Sequence, residues 1–137
     1  MAGVQYKRDA SITSDQVKNL YDDAGWFTYT EDMPRLMEGI GRSLYTVTAW
    51  DNDRLVGLIR VVGEGLTIIY IQDLLVLQTH RRKGIGTKLV RLVCEEYSGA
   101  RQKVLLTEDA PEMRAFYQSL GFEPCDRGRL VAFARFD

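Results

Sequence analysis

The sequence predicts one α/β (α+β) domain, residues 1–137, built on a mixed and mostly antiparallel sheet, and three observations carry that reading. The length of 137 residues is about one ordinary domain. Apolar β-branched runs are interleaved with amphipathic stretches at helical spacing. No linker or internal repeat divides the chain, since Pro34, Pro111 and Pro124 are scattered and no low-complexity stretch occurs. Hydrophobic residues at 45% and charged residues at 27% are globular proportions, which excludes a disordered tail or a coiled coil.

The elements follow in order. Val4 to Lys7 reads as a short first strand. Thr13-Ser14-Asp15-Gln16 is a capping box, because the Thr13 hydroxyl and the Gln16 amide can satisfy free N–H groups at a helix start. Val17, Leu20, Tyr21 and Ala24 continue at helical spacing until Gly25. A second short helix is expected from Asp32 to Glu38. Leu44 to Trp50 and Leu55 to Val62 flank the turn residues Asp51-Asn52-Asp53 and predict a hairpin. After Glu64-Gly65, Thr67 to Leu77 has apolar residues on both parities, which predicts a strand buried on both faces. A basic loop, Gln78 to Lys83, leads into a helix from Gly84 to about Ser98 with Ile85, Leu89, Val93 and Tyr97 on one stripe. Lys103 to Thr107 is the next strand, and Pro111 opens a helix that stops at Gly121. Phe122 to Pro124 and Leu130 to Phe136 read as closing strands.

Several function classes are excluded or disfavoured. The longest stretch free of Asp, Glu, Lys and Arg is eight residues, whereas a bilayer span needs roughly 20 apolar residues, so no membrane partner is expected. The first residues lack the apolar core of a signal peptide, and the expected location is the cytoplasm. Eighteen basic against nineteen acidic residues give a net charge of −1, with no overall basic footprint for nucleic acid. Cys94 and Cys125 form no Cys-x-x-Cys pair and are expected to be reduced, with Cys94 as core filler. His80 is the only histidine, is expected to face solvent, and has no metal-ligand spacing around it.

The strongest local signal is Arg81-Arg82-Lys83-Gly84-Ile85-Gly86, between a buried strand and an amphipathic helix. The first N–H groups of a helix lack intrahelical partners and carry the positive end of its dipole. Glycines let a phosphate approach those amides, and the basic side chains add charge beside them. The alternative is an ordinary tight turn with solvated basic residues. A P-loop is absent, and the dinucleotide fingerprint Gly-x-Gly-x-x-Gly fails at Leu89.

Arg81 to Gly86 does match Arg/Gln-x-x-Gly-x-Gly/Ala, and here the sequence resembles the GNAT superfamily of N-acetyltransferases, as a small stand-alone bacterial-type member. The run Tyr70-Ile71-Gln72-Asp73-Leu74-Leu75-Val76 resembles that family's fourth strand. Ala115-Phe116-Tyr117-Gln118-Ser119-Leu120-Gly121-Phe122 resembles its later helix, and Gly25-Trp26 through Tyr29 the segment between its first helices. The resemblance implies a sheet splayed between its fourth and fifth strands and flanked by about four helices. It implies direct transfer of an acetyl group from acetyl-CoA to a primary amine of a small molecule in a ternary complex, without a metal. The alternative is a non-catalytic acyl-CoA-binding or regulatory module of the same fold. A homodimer is also an expectation, because dimers are common among such proteins and the closing strands could pair across an axis.

By the same resemblance, the backbone of Leu74, Leu75 and Val76 pairs with the pantetheine arm, with the Val76 N–H as donor to the thioester carbonyl. Arg81, Arg82, Lys83, Gly84, Ile85, Gly86 and Thr87 hold the pyrophosphate, and Tyr117 is the general acid toward the departing thiolate. Trp26, Tyr29, Tyr70 and Gln72 are candidate acceptor contacts. The base is less defined. Asp73 is ionisable, but strand parity sets it opposite to Tyr70 and Gln72, and its other reading is a buried, hydrogen-bonded structural carboxylate. Glu108, Asp109 and a water relay are further candidates. Six acidic residues against two basic ones between Ser14 and Ile40, interleaved with aromatics, suggest a cationic or aromatic amine as acceptor; a solvated helix face with core aromatics explains the same residues.

Overall fold

The computed structural model describes residues 3–137, which form two compact units, one ending at Leu106 and the other spanning Thr107–Asp137. The first unit runs β1 (Gln5–Arg8), α1 (Ser14–Asp23), α2 (Phe27–Thr30), α3 (Met33–Gly41), β2 (Tyr45–Asp51), β3 (Arg54–Gly63), β4 (Ile68–Val76), α4 (Ile85–Glu96) and β5 (Gln102–Leu105). Its sheet has the order β1-β2-β3-β4-β5, with antiparallel neighbours throughout except for the parallel β4–β5 pair. This is the mixed sheet of an α/β fold, as expected. The second unit carries α5 (Pro111–Ser119) and a single 3₁₀ turn at Cys125–Arg127.

Local chemistry explains most boundaries. Thr13 caps α1 through its hydroxyl while the Gln16 side chain accepts the Thr13 N–H, so both halves of the capping box form. Asp32 accepts the Arg35 N–H at the start of α3, with Pro34 in its first turn. The turn from β3 to β4 closes on one oxygen of Glu64, which accepts the N–H groups of Thr67, Ile68 and Leu66. Those bonds, Thr67 foremost, hold the Glu64 carboxyl below its ordinary range.

Helices α1 and α4 cover opposite faces of the sheet. Arg60 on β3 points to the α1 side, where its partner Asp73 meets Tyr21. Gly57, of the other parity on β3, lies against Ile85, the first residue of α4. Val17, Leu20 and Tyr21 are buried beneath α1, and Ile85, Leu89, Val90 and Val93 beneath α4. The expected stripe on α4 therefore holds at Ile85, Leu89 and Val93, while Tyr97 falls just past the helix as its cap.

Three expectations need correction. Strand β4 is buried only in part on each face; fully buried residues alternate with half-buried ones along it, and a register shift at Gln72 places some of each on both sides. An extra single-turn helix, α2, follows Trp26, because the chain turns at Gly25 in the left-handed region (φ +79°) and starts a new turn at once. The closing strands Phe122 to Pro124 and Leu130 to Phe136 do not form. At the first, the Phe122 N–H donates instead to the Tyr117 carbonyl at 3.0 Å as α5 ends through Gly121 (φ +91°). The second has the β-prone composition of a strand but no partner in the five-stranded sheet, and composition alone supplies no ladder.

A Cβ at Gly57 would lie 3.2 Å from Ala49 Cβ, 3.2 Å from Ile85 Cγ2 and 3.3 Å from the Leu75 carbonyl oxygen. The start of α4 thus approaches the sheet as closely as a bare backbone permits. Gly57→Val should destabilise the fold by about 1–3 kcal/mol through overpacking, read as a lower urea midpoint with an unchanged slope.

Candidate active site

The site is built around β4. Its pairing with β5 ends at Ile71↔Leu105, yet β4 continues to Val76 on the β3 side. Leu77 N–H donates to the Val56 carbonyl at 2.9 Å, so strand alternation turns the N–H groups of Val76 and Leu74 away from β3. There β5 no longer meets them. Beyond Ile71 the side of β4 away from β3 is therefore left unpaired by β5, which ends at Leu105, and carries backbone donors.

A register shift modifies the face that β4 presents. Arg60 pairs with Asp73 but Val61 pairs with Ile71, leaving Gln72 as the extra residue of a β-bulge. The bulge cancels one step of parity. Gln72 and Asp73 both turn toward α1 and α2, where Gln72 Nε2 donates to the Tyr29 hydroxyl (3.3 Å) and Asp73 meets Tyr21. The simple parity argument, which set Asp73 on the other face, is thereby corrected.

Asp73 is buried, and its Oδ2 accepts Arg60 Nε at 2.5 Å and the Tyr21 hydroxyl at 2.6 Å. Its Oδ1 is buried with no partner among the described residues. Burial would lower the Arg60 pKa, but the charge and hydrogen bond of Asp73 outweigh it and raise the value. Burial, then the Asp73 charge, pushes the Tyr21 hydroxyl far up, so Tyr21 stays a donor. This is the environment of a structural carboxylate, the second of the two readings that the sequence left open.

Tyr21, Trp26 and Tyr29 pack on one another with ring centroids 5.8–6.0 Å apart. The acidic residues interleaved with them are mostly committed. Asp22 accepts Lys18 and Thr30, Asp32 caps α3, and Asp23 Oδ2 accepts the Gln78 N–H at 2.9 Å. Tyr21 is fully buried, whereas Trp26 is half-buried and Phe27 and Tyr29 are exposed.

The basic loop lies between Val76 and α4. Arg82 adopts φ +63° and Gly84 φ +80°, the latter capping α4 without any side-chain bond. No heavy atom lies within 4 Å of a Cβ built on Gly84. The space before the first N–H groups of α4 is open, and Arg81, Arg82, Lys83 and Gly84 are all exposed beside it, with Gly86 and Thr87 half-exposed. Ile85 is different, buried against the sheet, so only its backbone faces the loop. Arg81 Nε reaches the Val76 carbonyl at 3.4 Å and ties the loop to the end of β4. These residues suit a pyrophosphate.

His80 is buried rather than solvent-facing, which corrects the sequence expectation. Its Nε2 lies 2.9 Å from Asp51 Oδ2 and its Nδ1 2.8 Å from the Thr79 hydroxyl. The nearby cationic loop suggested exposure, but the β2–β3 turn supplies a carboxylate that sequence separation concealed. Cys94 is half-buried on α4, where burial raises its thiol pKa and leaves no activated nucleophile. Among the described residues no group of three His, Cys, Asp or Glu is placed to hold a metal ion, and no helix is long and apolar enough to cross a membrane.

In the second unit Tyr117 is buried, with ring edges against Phe116 and Phe122. Burial pushes its hydroxyl up to about 12. Arg114 bridges Asp109 at 2.8 Å and Asp126 at 2.8 Å, which engages one further candidate base, while Glu108 is exposed. Sequence reasoning missed Arg60 and Tyr21, which build the network around Asp73. An arginine amid the apolar residues of β3 was the available signal.

Residues 39–124 match the model of the acetyltransferase (GNAT) domain. The chain superimposes on the GNAT family acetyltransferase SP0256 of Streptococcus pneumoniae with a TM-score of 0.88 and 30% identity, over 98% of each chain. The aminoglycoside N-acetyltransferase AAC(6')-Iy, solved with coenzyme A, shares the fold at a TM-score of 0.71 and 18% identity, over 98% of this chain and 95% of that one. The Gibberella zeae protein FG08082, whose name places it among the acetyltransferases, is 31% identical over 91 residues. That match covers 64% of this chain, which spans about half the length of the curated relative (49%). The loop before α4, the open side of β4 and the match over residues 39–124 converge: the chain belongs to the GNAT acetyltransferase family.

Proposed function

We propose that this protein transfers an acetyl group from acetyl-CoA directly to a small amine, and the observation that carries the reading is the stretch of β4 beyond Ile71, left unpaired by β5, beside the Arg81–Thr87 loop. The free N–H groups at the start of α4, with Arg81, Arg82 and Lys83, hold the pyrophosphate. The exposed backbone of Leu74 and Val76 pairs with the pantetheine arm as an added strand would. The Val76 N–H donates to the thioester carbonyl oxygen as negative charge develops there, an effect worth about 3 kcal/mol where such donors have been removed.

Tyr117 assists departure of the thiolate. With a hydroxyl near 12 and a thiol near 8.5, complete proton transfer is uphill by about 5 kcal/mol. Tyr117 therefore acts as a hydrogen-bond donor to the leaving sulfur. A hydrogen bond to a charged group contributes about 1.5–3 kcal/mol, or about 10- to 150-fold in rate. The acceptor is a small cationic or aromatic amine resting on Trp26, Tyr29, Tyr70 and Gln72, a class that includes the aminoglycosides named for one of the structural neighbours. Asp73 holds Tyr21 in place and takes no proton, so the amine arrives neutral or gives its proton to water.

Four outcomes test this reading. Gly86→Val adds bulk inside α4 without demanding a strained backbone, and calorimetry on the folded variant should show acetyl-CoA affinity reduced at least tenfold; unchanged affinity removes the loop from the account. Tyr117→Phe should keep acetyl-CoA binding and lower kcat about 10- to 150-fold in a thiol-release assay over a panel of amines. Because Tyr117 stays protonated well above neutrality, kcat/KM should climb with pH until the acceptor amine is neutral, with no alkaline loss from Tyr117 below about pH 11. Asp73→Asn should raise the acceptor KM and leave that pH profile in place. Loss of the profile in the variant would make Asp73 the base.

A further inference from the structure

The sequence holds one histidine, and the structure buries it between a hydroxyl and a carboxylate. His80 Nε2 lies 2.9 Å from Asp51 Oδ2, and its Nδ1 lies 2.8 Å from the Thr79 hydroxyl. Elementary chemistry fixes which group donates. A carboxylate only accepts, so the ring hydrogen of the neutral imidazole sits on Nε2 and points at Asp51. Nδ1 is left with its lone pair, and the Thr79 O–H donates to it. Thr79 is exposed, whereas the His80 side chain is only 11% exposed, so solution reaches the hydroxyl while the ring is held inside. Both residues ride on one short 3₁₀ turn, Gln78–His80, closed by the His80 N–H on the Leu77 carbonyl at 2.8 Å. Hydroxyl and ring therefore move as a unit.

We propose that Thr79 is a nucleophilic hydroxyl that takes the acyl group of a small activated ester, with His80 as its general base and Asp51 as the residue that positions the imidazole. A hydroxyl, a base within hydrogen-bond reach and a third group orienting that base form the arrangement that acyl-transfer sites share across unrelated folds. The step balances. Thr79 Oγ bonds to the acyl carbon while its proton passes to His80 Nδ1, and the Asp51 carboxylate stabilises the imidazolium so formed. The bond from the acyl carbon to the leaving oxygen breaks, and that oxygen takes the proton from Nδ1. The products are an ester on Thr79 and the free alcohol or phenol. Arg81 and Arg82 follow directly in the chain and are exposed, so the surroundings of the hydroxyl are cationic, which favours a developing oxyanion. None of the three residues is assigned to acetyl-CoA or to the amine, so this chemistry stands apart from the transfer proposed above.

The test uses the full chain and p-nitrophenyl acetate, with no coenzyme A present, and so is independent of the acetyl-CoA reading. The expected result is an acetyl group on residue 79, located by peptide mass spectrometry and removed by neutral hydroxylamine as an ester is. Thr79→Val should abolish it and Thr79→Ser should keep it. His80→Gln should slow the acylation about 10²- to 10⁴-fold, the usual range for a general base. If that buried substitution prevents folding, Asp51→Asn at its half-exposed position serves instead, with acylation slowed about tenfold or more and recovered in Asp51→Glu. Because His80 is the only histidine, nitrogen NMR of its ring reports the tautomer directly, and the hydrogen is expected on Nε2. An unmodified Thr79, acetyl groups on lysines alone, a neutral ring with its hydrogen on Nδ1, or an unchanged rate in folded Asp51→Asn would each overturn the proposal. Any of these makes Thr79 only the hydrogen-bond partner of a structural histidine.

Discussion

A carboxylate buried in a sheet has to be paired, and the pairing of Asp73 with Arg60 organises much of what surrounds it. Removing one partner of a buried pair typically costs about 3–5 kcal/mol, because the remaining charge stays out of water. Here the pair joins β3 to β4 at the point where their register shifts, and it reaches further. Tyr21 brings in α1, and Arg60 also contacts the Ser43 hydroxyl at 3.4 Å beyond α3. Two strands and the helices over them thus share one polar centre inside an otherwise apolar layer. Such a centre is demanding in geometry, which favours a single arrangement of α1 and β4 over sliding alternatives.

The bulge at Gln72 is the backbone counterpart of that centre. Without it, β4 would alternate strictly and could not send both Gln72 and Asp73 to the α1–α2 side. With it, one side chain goes to the interior network and its neighbour to the half-exposed surface near Tyr29. Beyond the bulge β4 keeps its pairing to β3 alone. A buried carboxylate and a half-exposed glutamine on the same side of the sheet are therefore consecutive consequences of one extra residue.

Much of the fold was legible because local signals agreed with one another. The Thr13 and Gln16 capping box, the Asp51-Asn52-Asp53 turn and the Arg81–Gly86 loop each name a backbone feature that depends on nearby residues only. The misses have the opposite character. The partner of His80 is Asp51, 29 positions away, and the partners of Asp73 lie 13 and 52 positions away, so no window along the chain contains them. The bulge has no sequence signature here, because Gln72 carries neither the glycine nor the proline that often marks one. Leu130 to Phe136 was read as a strand from composition, which gives the tendency to pair but not the partner. For the candidate site the same division holds. The loop glycines were readable, whereas the commitment of Asp22, Asp23 and Asp32 to Lys18, Gln78 and the cap of α3 required coordinates.

Those commitments bear on how the basic loop keeps its shape. Its exposed residues make few bonds within the loop, yet the loop is fastened at its entrance from two directions. Asp23, at the end of α1, accepts the Gln78 N–H, while the Asp23 carbonyl accepts the Gln78 side chain at 2.8 Å. Asp51, in the β2–β3 turn, meets His80. At the exit, Ile85 packs tightly over Gly57, where an added Cβ would lie 3.2 Å from Ile85 Cγ2. The segment between, Arg81 to Gly84, can therefore hold two left-handed residues and leave its donors unpaired, because the strain and lost bonds are offset at both ends. Asp23 thus fastens the end of α1 to the entrance of the basic loop, while Asp22 and Asp32 hold Lys18, Thr30 and the cap of α3, so the acidic charge around α1 serves local structure before anything else.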